Sequence, residues 1–323
     1  MSFDIIAIGD TTTDIFLDID ENSKLCKVDK RTQELKFKFK SKIPVMGVHR
    51  VIGGGNAPNH VMGASRLGLK TAIYTVVGHD DVGDSFYHKI DKEGISNKYI
   101  SYDSKNGTNL STIIDYDEER TVLSYHADRK YKLPEFENTK WIYFSSISGN
   151  HDEFNEQLVN YIKNNSVKLA FNPGSRQMIL GLVKLKKIFE VSDIVFVNKS
   201  EAERLVGEAS SIKNLMKKFY NLGMKIAVIT DGQKGSYSFD GTTFYKINIF
   251  KSKVLETTGC GDAYGSGFLS AIIKKKTIAE AMKWGSINAS SVISKIGSQD
   301  GLLTKKQMES ILSKHDYFQA RIL

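Results

Sequence analysis

Short apolar runs rich in β-branched and aromatic residues recur along most of the chain, and amphipathic stretches separate them. Strands that are apolar on both faces are typical of a parallel sheet that helices cover on both sides. In residues 151–165, Phe154, Leu158 and Ile162 recur at the spacing of one helical face. The apolar runs are IIAIG, TAIYTVVG, WIYFSSI, VKLAFNP, DIVFVN and KIAVIT. Their order predicts an α/β fold in three layers, doubly wound around a mostly parallel sheet.

Two regions, residues 14–45 and 100–126, interrupt this order with alternating polar and apolar residues and with turn residues between the runs. Such alternation indicates antiparallel strands with one exposed face. We expect the two regions to meet as one small sheet over an α/β body made of residues 1–13, 46–99 and 127–323. A small sheet with one apolar face needs a partner, which is the active site, a second subunit or both.

The composition of the 323-residue chain, 41% hydrophobic and 25% charged, is that of a globular protein with a substantial core. Cys26 and Cys260 lie outside any CxxC spacing, which argues against a disulfide framework and against a structural zinc site. The net charge of +8 comes from scattered lysines, which favours a solvated surface over a nucleic-acid patch. No segment approaches the roughly 18 apolar residues of a membrane span. We therefore expect a cytoplasmic protein that binds neither nucleic acid nor membrane.

Four glycines surround one aspartate in the segment ETTGCGDAYGSGFLSAI, residues 256–272. Apolar residues at helical spacing predict a helix that begins near Asp262, with TGCG as the turn before it. The free amides of such a helix start form an anion site for a phosphate or a developing negative charge. Asp262 is then placed to accept a proton from a hydroxyl while the amides stabilise a transferring phosphoryl group. The alternative is a helix start with small residues for packing and a carboxylate that favours the helix dipole.

A second glycine-rich stretch, IGGGNAPNHVMGASRLG, precedes and opens another predicted helix. Gly54 and Gly55 stand before this helix, and the amide of Asn59 is able to hydrogen-bond hydroxyl groups. A loop with an asparagine cap explains the same residues equally well.

Two further stretches place polar residues at the ends of predicted strands. In VFVNKSEAERLVG, Asn198 and Glu201 have the spacing of a capping box, which we favour over a role near Mg²⁺. In AVITDGQKGSYSF, Thr230, Gly232 and Gly235 lie in a turn, and such a turn alone is more often structural than a nucleotide contact.

Taken together, these stretches resemble the ribokinase-like (phosphofructokinase-B-type) carbohydrate kinases over nearly the whole chain. GGNAPNHVMGASRLG is similar to the N-terminal signature of that family, and ETTGCGDAYGSGF is similar to its C-terminal signature. The resemblance implies an α/β sandwich in which residues 14–45 and 100–126 form a β lid. It also implies ATP- and Mg²⁺-dependent phosphorylation of a sugar or nucleoside hydroxyl, and a homodimer through the lid.

The resemblance assigns roles to individual residues. It implies that Asp262 is the catalytic base and that the amides of Gly259, Cys260 and Gly261 form the anion hole. The implied substrate-binding residues are Asp14, Gly54, Gly55 and Asn59. The implied nucleotide and magnesium-phosphate region consists of Asn198, Glu201, Thr230, Gly232, Gly235 and Asn288. No residue is predicted to be a direct metal ligand.

Two residues of the C-terminal signature depart from the family pattern. Glu256 stands where relatives usually have Asp, which leaves open the K⁺ site that is common near this loop. Cys260 replaces a usual alanine, and because no histidine is tied to it in the sequence, we interpret it as a small residue rather than a nucleophile.

The sequence leaves the identity of the substrate open. Asp14 and Asn59 suit any polyol, so an unphosphorylated small sugar is the first expectation. Tyrosines in the lid-like strands provide stacking surfaces for a nucleobase or pack within the lid, so a nucleoside is the alternative. The basic residues Arg129, Lys130 and Lys132 are expected to form a solvated loop rather than a phosphate reader. A non-catalytic protein that binds sugars or nucleotides is a third possibility.

Overall fold

A computed structural model describes residues 2–116 and 119–323 of the chain. Met1, Asp117 and Glu118, which the domain prediction includes, lie outside the described residues. The strands are β1 (Phe3–Ile8), β2 (Thr12–Ile19), β3 (Cys26–Asp29), β4 (Glu34–Phe37), β5 (Val45–Gly54), β6 (Thr71–Gly78), β7 (Ser96–Asp103), β8 (Asn109–Tyr116), β9 (Glu119–Tyr125), β10 (Thr139–Phe144), β11 (Lys168–Phe171), β12 (Ile194–Asn198), β13 (Ile226–Thr230), β14 (Ser236–Phe239), β15 (Phe244–Ile247) and β16 (Arg321–Ile322). The helices are α1 (Asn56–Arg66), α2 (Asp81–Lys92), α3 (His151–Asn164), α4 (Ser175–Val191), α5 (Lys199–Val206), α6 (Ile212–Tyr220), α7 (Cys260–Ile273), α8 (Ile278–Val292) and α9 (Lys305–Lys314).

One large sheet of ten strands runs through the molecule in the order β16-β15-β14-β13-β12-β11-β10-β1-β6-β7. The strands from β7 to β13 in this order pair in parallel, and β14, β15 and β16 pair antiparallel at one side. The six apolar runs of the sequence form β1, β6, β10, β11, β12 and β13, all of them within the parallel part. The predicted three-layer, mostly parallel α/β fold is thereby confirmed.

Each face of the large sheet carries its own hydrophobic core. One core packs side chains of α1, α2, α7, α8 and α9 against the sheet, among them Phe86 and Phe268. The other core packs α3, α4, α5 and α6, with Phe154 and Leu158 at the helical spacing that predicted α3. Because both faces are covered, the strands between them are apolar on both sides.

A second, small sheet has the strand order β5-β2-β8-β9. The two alternating regions therefore meet, as the sequence analysis expects, but β2 and β8 pair in parallel rather than antiparallel. The reason lies in the chain path, because β2 directly follows β1 and β8 directly follows β7, and β1 and β7 run in the same direction in the large sheet. Residues Ile100–Asp103, which the domain prediction assigns to the lid, complete β7 of the large sheet, while Val45–Gly54 supplies an edge strand of the small one.

The insertion around Cys26 forms a separate hairpin of β3 and β4. The Cys26 side chain is buried and packs with Ile19 and Ile114 of the small sheet. The thiol thus serves as a small apolar group that fixes the hairpin to the sheet. Among the described helices, none is both long and apolar enough to cross a membrane.

Candidate active site

Helix α7 begins one residue after Gly259, whose backbone has the left-handed φ of 76°. A Cβ atom at this position would lie 2.4 Å from the Cβ of Ser298, so both the conformation and the space require glycine. At Gly261, in contrast, an added Cβ would meet no atom within 4 Å. The turn therefore holds the start of α7 against the 297–299 loop while the next residues face open space.

A cavity of about 180 Å³ opens at this helix start. Its lining is predominantly polar and comes from the carboxyl ends of β11, β12 and β13, from the turn before α7 and from the starts of α1 and α7. The lining residues are Asn56, Asn172, Phe196, Val197, Asn198, Glu201, Thr230, Thr257, Gly259, Cys260, Gly261, Asp262 and Tyr264. The carboxyl edge of a parallel sheet is where open α/β proteins bind ligands.

Asp262 occupies the first turn of α7 and lines this cavity. Removal from water raises the pKa of its carboxyl to about 7, a hydrogen bond from Asn59 opposes the rise, and the nearby charge of Glu201 adds to it. Asn59 Nδ2 donates to Asp262 Oδ2 at 2.8 Å. Within the described part of the chain, Oδ1 of Asp262 accepts no hydrogen bond, so one carboxylate oxygen remains available for a proton.

The side chain of Asn59 is buried and points toward the aspartate rather than into open space. Its Oδ1 accepts hydrogen bonds from Ser298 Oγ at 2.9 Å and from Gln299 Nε2 at 2.8 Å. The structure thus gives Asn59 a contact with the candidate base, where the sequence analysis expected a contact with substrate hydroxyls.

Asp14 lies on β2 of the small sheet and does not line the cavity that Asp262 lines. It faces Gly54, where an added Cβ would lie 2.4 Å from Asp14 Oδ2. Burial raises the pKa of Asp14 to about 6, with a hydrogen bond from Ser111 lowering it and the charge of Glu256 raising it. Gly55 has a φ of 104°, and a side chain there would collide with the carbonyl oxygen of Asp10 at 2.7 Å. Gly54 and Gly55 therefore let the backbone pass close to the Asp14 side chain and to the Asp10 carbonyl.

Asn198 and Glu201 form the capping box that the sequence analysis favoured. Asn198 Oδ1 accepts from the Glu201 amide, and Glu201 Oε2 accepts from the Asn198 amide, each at 2.8 Å. Both residues also line the cavity with Thr230, which pairs with Asn198 across β12 and β13. Burial raises the pKa of Glu201, and the capping hydrogen bond opposes that rise.

Three predicted nucleotide-binding residues lie outside the cavity lining. Gly232 and Gly235 belong to the turn after β13, and a Cβ on Gly235 would lie 2.1 Å from the carbonyl oxygen of Ile247. Asn288 is fully buried between α7 and α8. Its Nδ2 donates to Ala263 O at 2.9 Å, and its Oδ1 accepts from the Leu303 amide at 3.1 Å. These bonds use the Asn288 side chain to join α8 to α7 and to the segment before α9, and its nucleotide contact stays a prediction.

Cys260 and Glu256, the two residues that depart from the C-terminal signature, each have defined contacts in the structure. Burial and the charge of Asp262 both raise the pKa of the Cys260 thiol, which disfavours the nucleophilic thiolate. Glu256 is buried, and its Oε2 accepts from the Gly297 amide at 2.6 Å. Glu256 therefore holds the 297–299 loop beside the start of α7.

Sequence reasoning missed Asn172, Gln299 and Lys89. Asn172 Oδ1 accepts from Asn56 Nδ2 at 2.8 Å at the rim of the cavity. Gln299 and Lys89 continue the hydrogen bonds of Asn59 away from Asp262. The only sequence signal for them was a polar pair, Ser298 and Gln299, beside a glycine near the end of the chain.

A model of the pfkB family of carbohydrate kinases matches residues 23–305 of the chain. The ATP-dependent 6-phosphofructokinase of Thermoanaerobacterium thermosaccharolyticum is 29% identical over 248 residues, which cover 72% of this chain and 76% of that protein. The nucleoside kinase of Methanocaldococcus jannaschii superposes with a TM-score of 0.77 at 22% identity, over 97% of this chain and 99% of that one. The ribokinase of Arabidopsis thaliana, solved with ribose and ATP, superposes with a TM-score of 0.79 at 19% identity, over 97% of this chain and 99% of that one. By the family match, this chain belongs to the pfkB family of carbohydrate kinases, which transfer phosphate to a hydroxyl group.

Proposed function

We propose that this protein transfers the γ-phosphoryl group of ATP to a hydroxyl of an unphosphorylated small sugar, with Asp262 as the general base. One observation carries the proposal. Asp262 stands at the start of α7 in a polar cavity, with a pKa of about 7 and one carboxylate oxygen that accepts no bond from the described residues. A base poised near neutral pH is able to remove a hydroxyl proton at the moment of transfer.

The amides at the start of α7 are proposed to stabilise the negative charge of the phosphoryl group. The Gly261 amide donates to no acceptor within the described chain, and open space adjoins that residue. The Cys260 amide donates weakly to Thr257 O at 3.2 Å, so it contributes only after that bond has given way. Together with Gly259, these residues provide the anion site that a helix N-terminus favours.

The cavity lining fits a nucleotide phosphate with a divalent cation. Asn198, Glu201 and Thr230 present polar groups to the same space as Asp262, and burial raises the pKa of the Glu201 carboxyl. ATP with Mg²⁺ supplies the activated phosphoryl group and neutralises part of its charge. No cluster of three or more acidic, histidine or cysteine ligands for a metal occurs in residues 2–116 and 119–323, so the ion is proposed to bind mainly through phosphate and water. K⁺ is not part of the proposal, because Glu256 already binds the 297–299 loop.

Asp14 and the Gly54–Gly55 turn are proposed to bind the acceptor hydroxyls. Asp14 accepts hydrogen bonds when ionised, and the absence of a side chain at Gly54 leaves it room. A neutral sugar is preferred because Arg129, the buried cation after β9, already pairs with Asp103 at 2.8 Å. The Arabidopsis relative was solved with ribose, which belongs to this class of acceptor.

A nucleoside is the second candidate acceptor. Tyr125 on β9 is 50% exposed and offers an aromatic face for a base. The Methanocaldococcus relative is a nucleoside kinase, although its 22% identity supports only the shared fold.

The small sheet is proposed to join two subunits. Val48 on β5 and Leu123 on β9 are both more than half exposed, and the strand registers place them on the same face of the small sheet. Apolar side chains grouped in this way are typical of an interface between protein chains.

The acceptor class is tested by an ADP-release screen over pentoses, hexoses, sugar phosphates and nucleosides. We expect turnover with one or more neutral sugars and none without an acceptor. Turnover with nucleosides alone contradicts the sugar proposal, and ADP release that no acceptor increases would favour a binding protein over a kinase.

A further inference from the structure

A series of hydrogen bonds through two buried amides leads from Lys89 on α2 to the carboxylate of Asp262. Lys89 Nζ donates to Gln299 Oε1 at 2.6 Å, and Gln299 Nε2 donates to Asn59 Oδ1 at 2.8 Å. Asn59 Nδ2 then donates to Asp262 Oδ2 at 2.8 Å. Gln299 and Asn59 are 3% and 4% exposed, so the two central amides are shielded from water.

The series of hydrogen bonds can run in only one direction from donor to acceptor, and Lys89 sets that direction. An ammonium group has only donors, so the amide of Gln299 must turn its oxygen toward Lys89 and its NH₂ toward Asn59. The same logic turns the oxygen of Asn59 toward Gln299 and its NH₂ toward Asp262. Ser298 Oγ reinforces this orientation, because it donates to the same Asn59 oxygen at 2.9 Å.

The same two side chains also hold the end of the small sheet. Lys89 Nζ donates to Ile52 O at 2.7 Å, and Gln299 Nε2 donates to Gly53 O at 2.6 Å. These carbonyls belong to the two residues before Gly54, which faces Asp14. One network therefore fixes the candidate base and the strand that leads to the candidate acceptor site.

We propose that Lys89 and Gln299 are positioning residues that orient Asn59 so that it holds Oδ2 of Asp262 and leaves Oδ1 to accept the proton. This inference rests on the proposed function of Asp262. Neither residue touches the reacting atoms, and each acts through Asn59. Connected hydrogen bonds between buried side chains hold a fixed geometry, and misplacement of a reacting group by about 1 Å costs roughly a hundredfold in rate.

Several ionisable groups act on the two ends of the network and bear on its pH dependence. Those that act on Lys89 are Arg66, Glu93 and Asp300, and those coupled to Asp262 are Glu201, Cys260 and Tyr143. Substitution of Lys89 leaves the groups around Asp262 in place. A change in the titration of Asp262 would therefore report the loss of the Asn59 hydrogen bond.

The test is the pH profile of kcat for Lys89→Met beside wild type and Lys92→Met. Lys92 is exposed on the same helix and forms no bond within the described chain, so it is the matched control. In Lys89→Met, Asn59 is free to turn, and the ionised carboxylate loses a donor that stabilises it. We expect kcat at neutral pH to fall by between about tenfold and a hundredfold with little change in KM, and the acid limb to move to higher pH. Part of the activity should return on the alkaline side.

A second variant, Gln299→Glu, keeps a partner for Lys89 but presents an acceptor to the Asn59 oxygen. It should turn the Asn59 oxygen toward Asp262, and we expect a greater loss than in Lys89→Met. A merely structural role predicts a lower melting temperature and a uniform loss across pH. Acid limbs that coincide in wild type, Lys89→Met and Gln299→Glu would overturn the inference even in an active enzyme. A wild type that shows no acid limb near neutral pH would overturn the base assignment and the inference with it.

Discussion

At the scale of single residues, two opposing effects set the state of Asp262. Burial disfavours the charged carboxylate, whereas the Asn59 hydrogen bond favours it, and burial is the larger effect. The result is a pKa of about 7 for a group whose ordinary value is 3.8. The carboxyl is thus a stronger proton acceptor than an exposed aspartate and is still ionised in part at neutral pH.

The raised pKa predicts how the rate should depend on pH. Below about 7, Asp262 is protonated and cannot accept the hydroxyl proton, so kcat should rise with pH through about 7 and level off above it. Asp14 has a pKa of about 6, so the variant Asp14→Asn is needed to distinguish its titration from that of Asp262. This variant should raise the KM for the acceptor but retain the acid limb of kcat near pH 7. A limb near the ordinary aspartate value would mean that Asp262 is not the titrating base.

The sequence predicted the position of Asp262 but not the orientation of its neighbour. Asp262 is recognisable because glycines and a helix start lie beside it in sequence. Asn59 is bound by Gln299, which lies 240 positions away. Local patterns carry no information on such a contact, so the sequence analysis named only substrate hydroxyls as partners of Asn59, and that role stays a prediction.

At the scale of elements, the start of helix α5 combines a helix cap with a place in the cavity wall. The capping box of Asn198 and Glu201 satisfies amides at the start of α5, which any helix requires. Because α5 follows β12 at the carboxyl edge of the large sheet, the same cap faces the cavity. Capping and a role near the phosphates are therefore compatible at this position.

The variant Asn198→Ala separates the two roles. Loss of the cap should cost about 1 kcal/mol of unfolding free energy. Thr304→Ala, at the capping box of α9, should cost a similar amount and serves as the control, since Thr304 does not line the cavity. If Asn198 also acts near the phosphates, only Asn198→Ala should raise the KM for ATP. If the two variants have the same KM for ATP, Asn198 acts only as a helix cap.

The strands were more predictable than their pairing. Apolar runs identified the parallel strands because both faces of the sheet are buried. Alternation identified the small sheet, but the parallel pairing of β2 with β8 depends on where the chain leaves the large sheet. Register and direction of this kind are tertiary properties that a local pattern does not encode.

At the scale of the whole molecule, the two outer strands of the small sheet, β5 and β9, both carry exposed apolar side chains. Val48 is 64% exposed, and Leu123 is 57% exposed. Burying these side chains against a second copy would remove apolar area from water at both outer strands of the sheet. The proposed homodimer rests on this exposed apolar surface of the small sheet.

The dimer is tested by sedimentation of a double variant, Val48→Lys with Leu123→Lys. Charges in a buried apolar interface are unfavourable, so the variant should sediment as a monomer at concentrations where wild type is a dimer. Val183→Lys is the matched control, because Val183 is 89% exposed on α4 of the body and should leave the dimer intact. A monomeric wild type, or a double variant that remains dimeric, would contradict the proposal.

The activity of Asp262→Asn tests directly whether Asp262 is the general base. The substitution keeps the shape of the side chain and removes its ability to take a proton, so kcat should fall by at least about a hundredfold. Asp81→Asn, which changes an exposed carboxylate in the first turn of α2, is the control and should retain wild-type activity. Melting temperature and the KM for the acceptor should show that Asp262→Asn is folded and binds substrate. If Asp262→Asn retains kcat within about tenfold of wild type, Asp262 is not the general base.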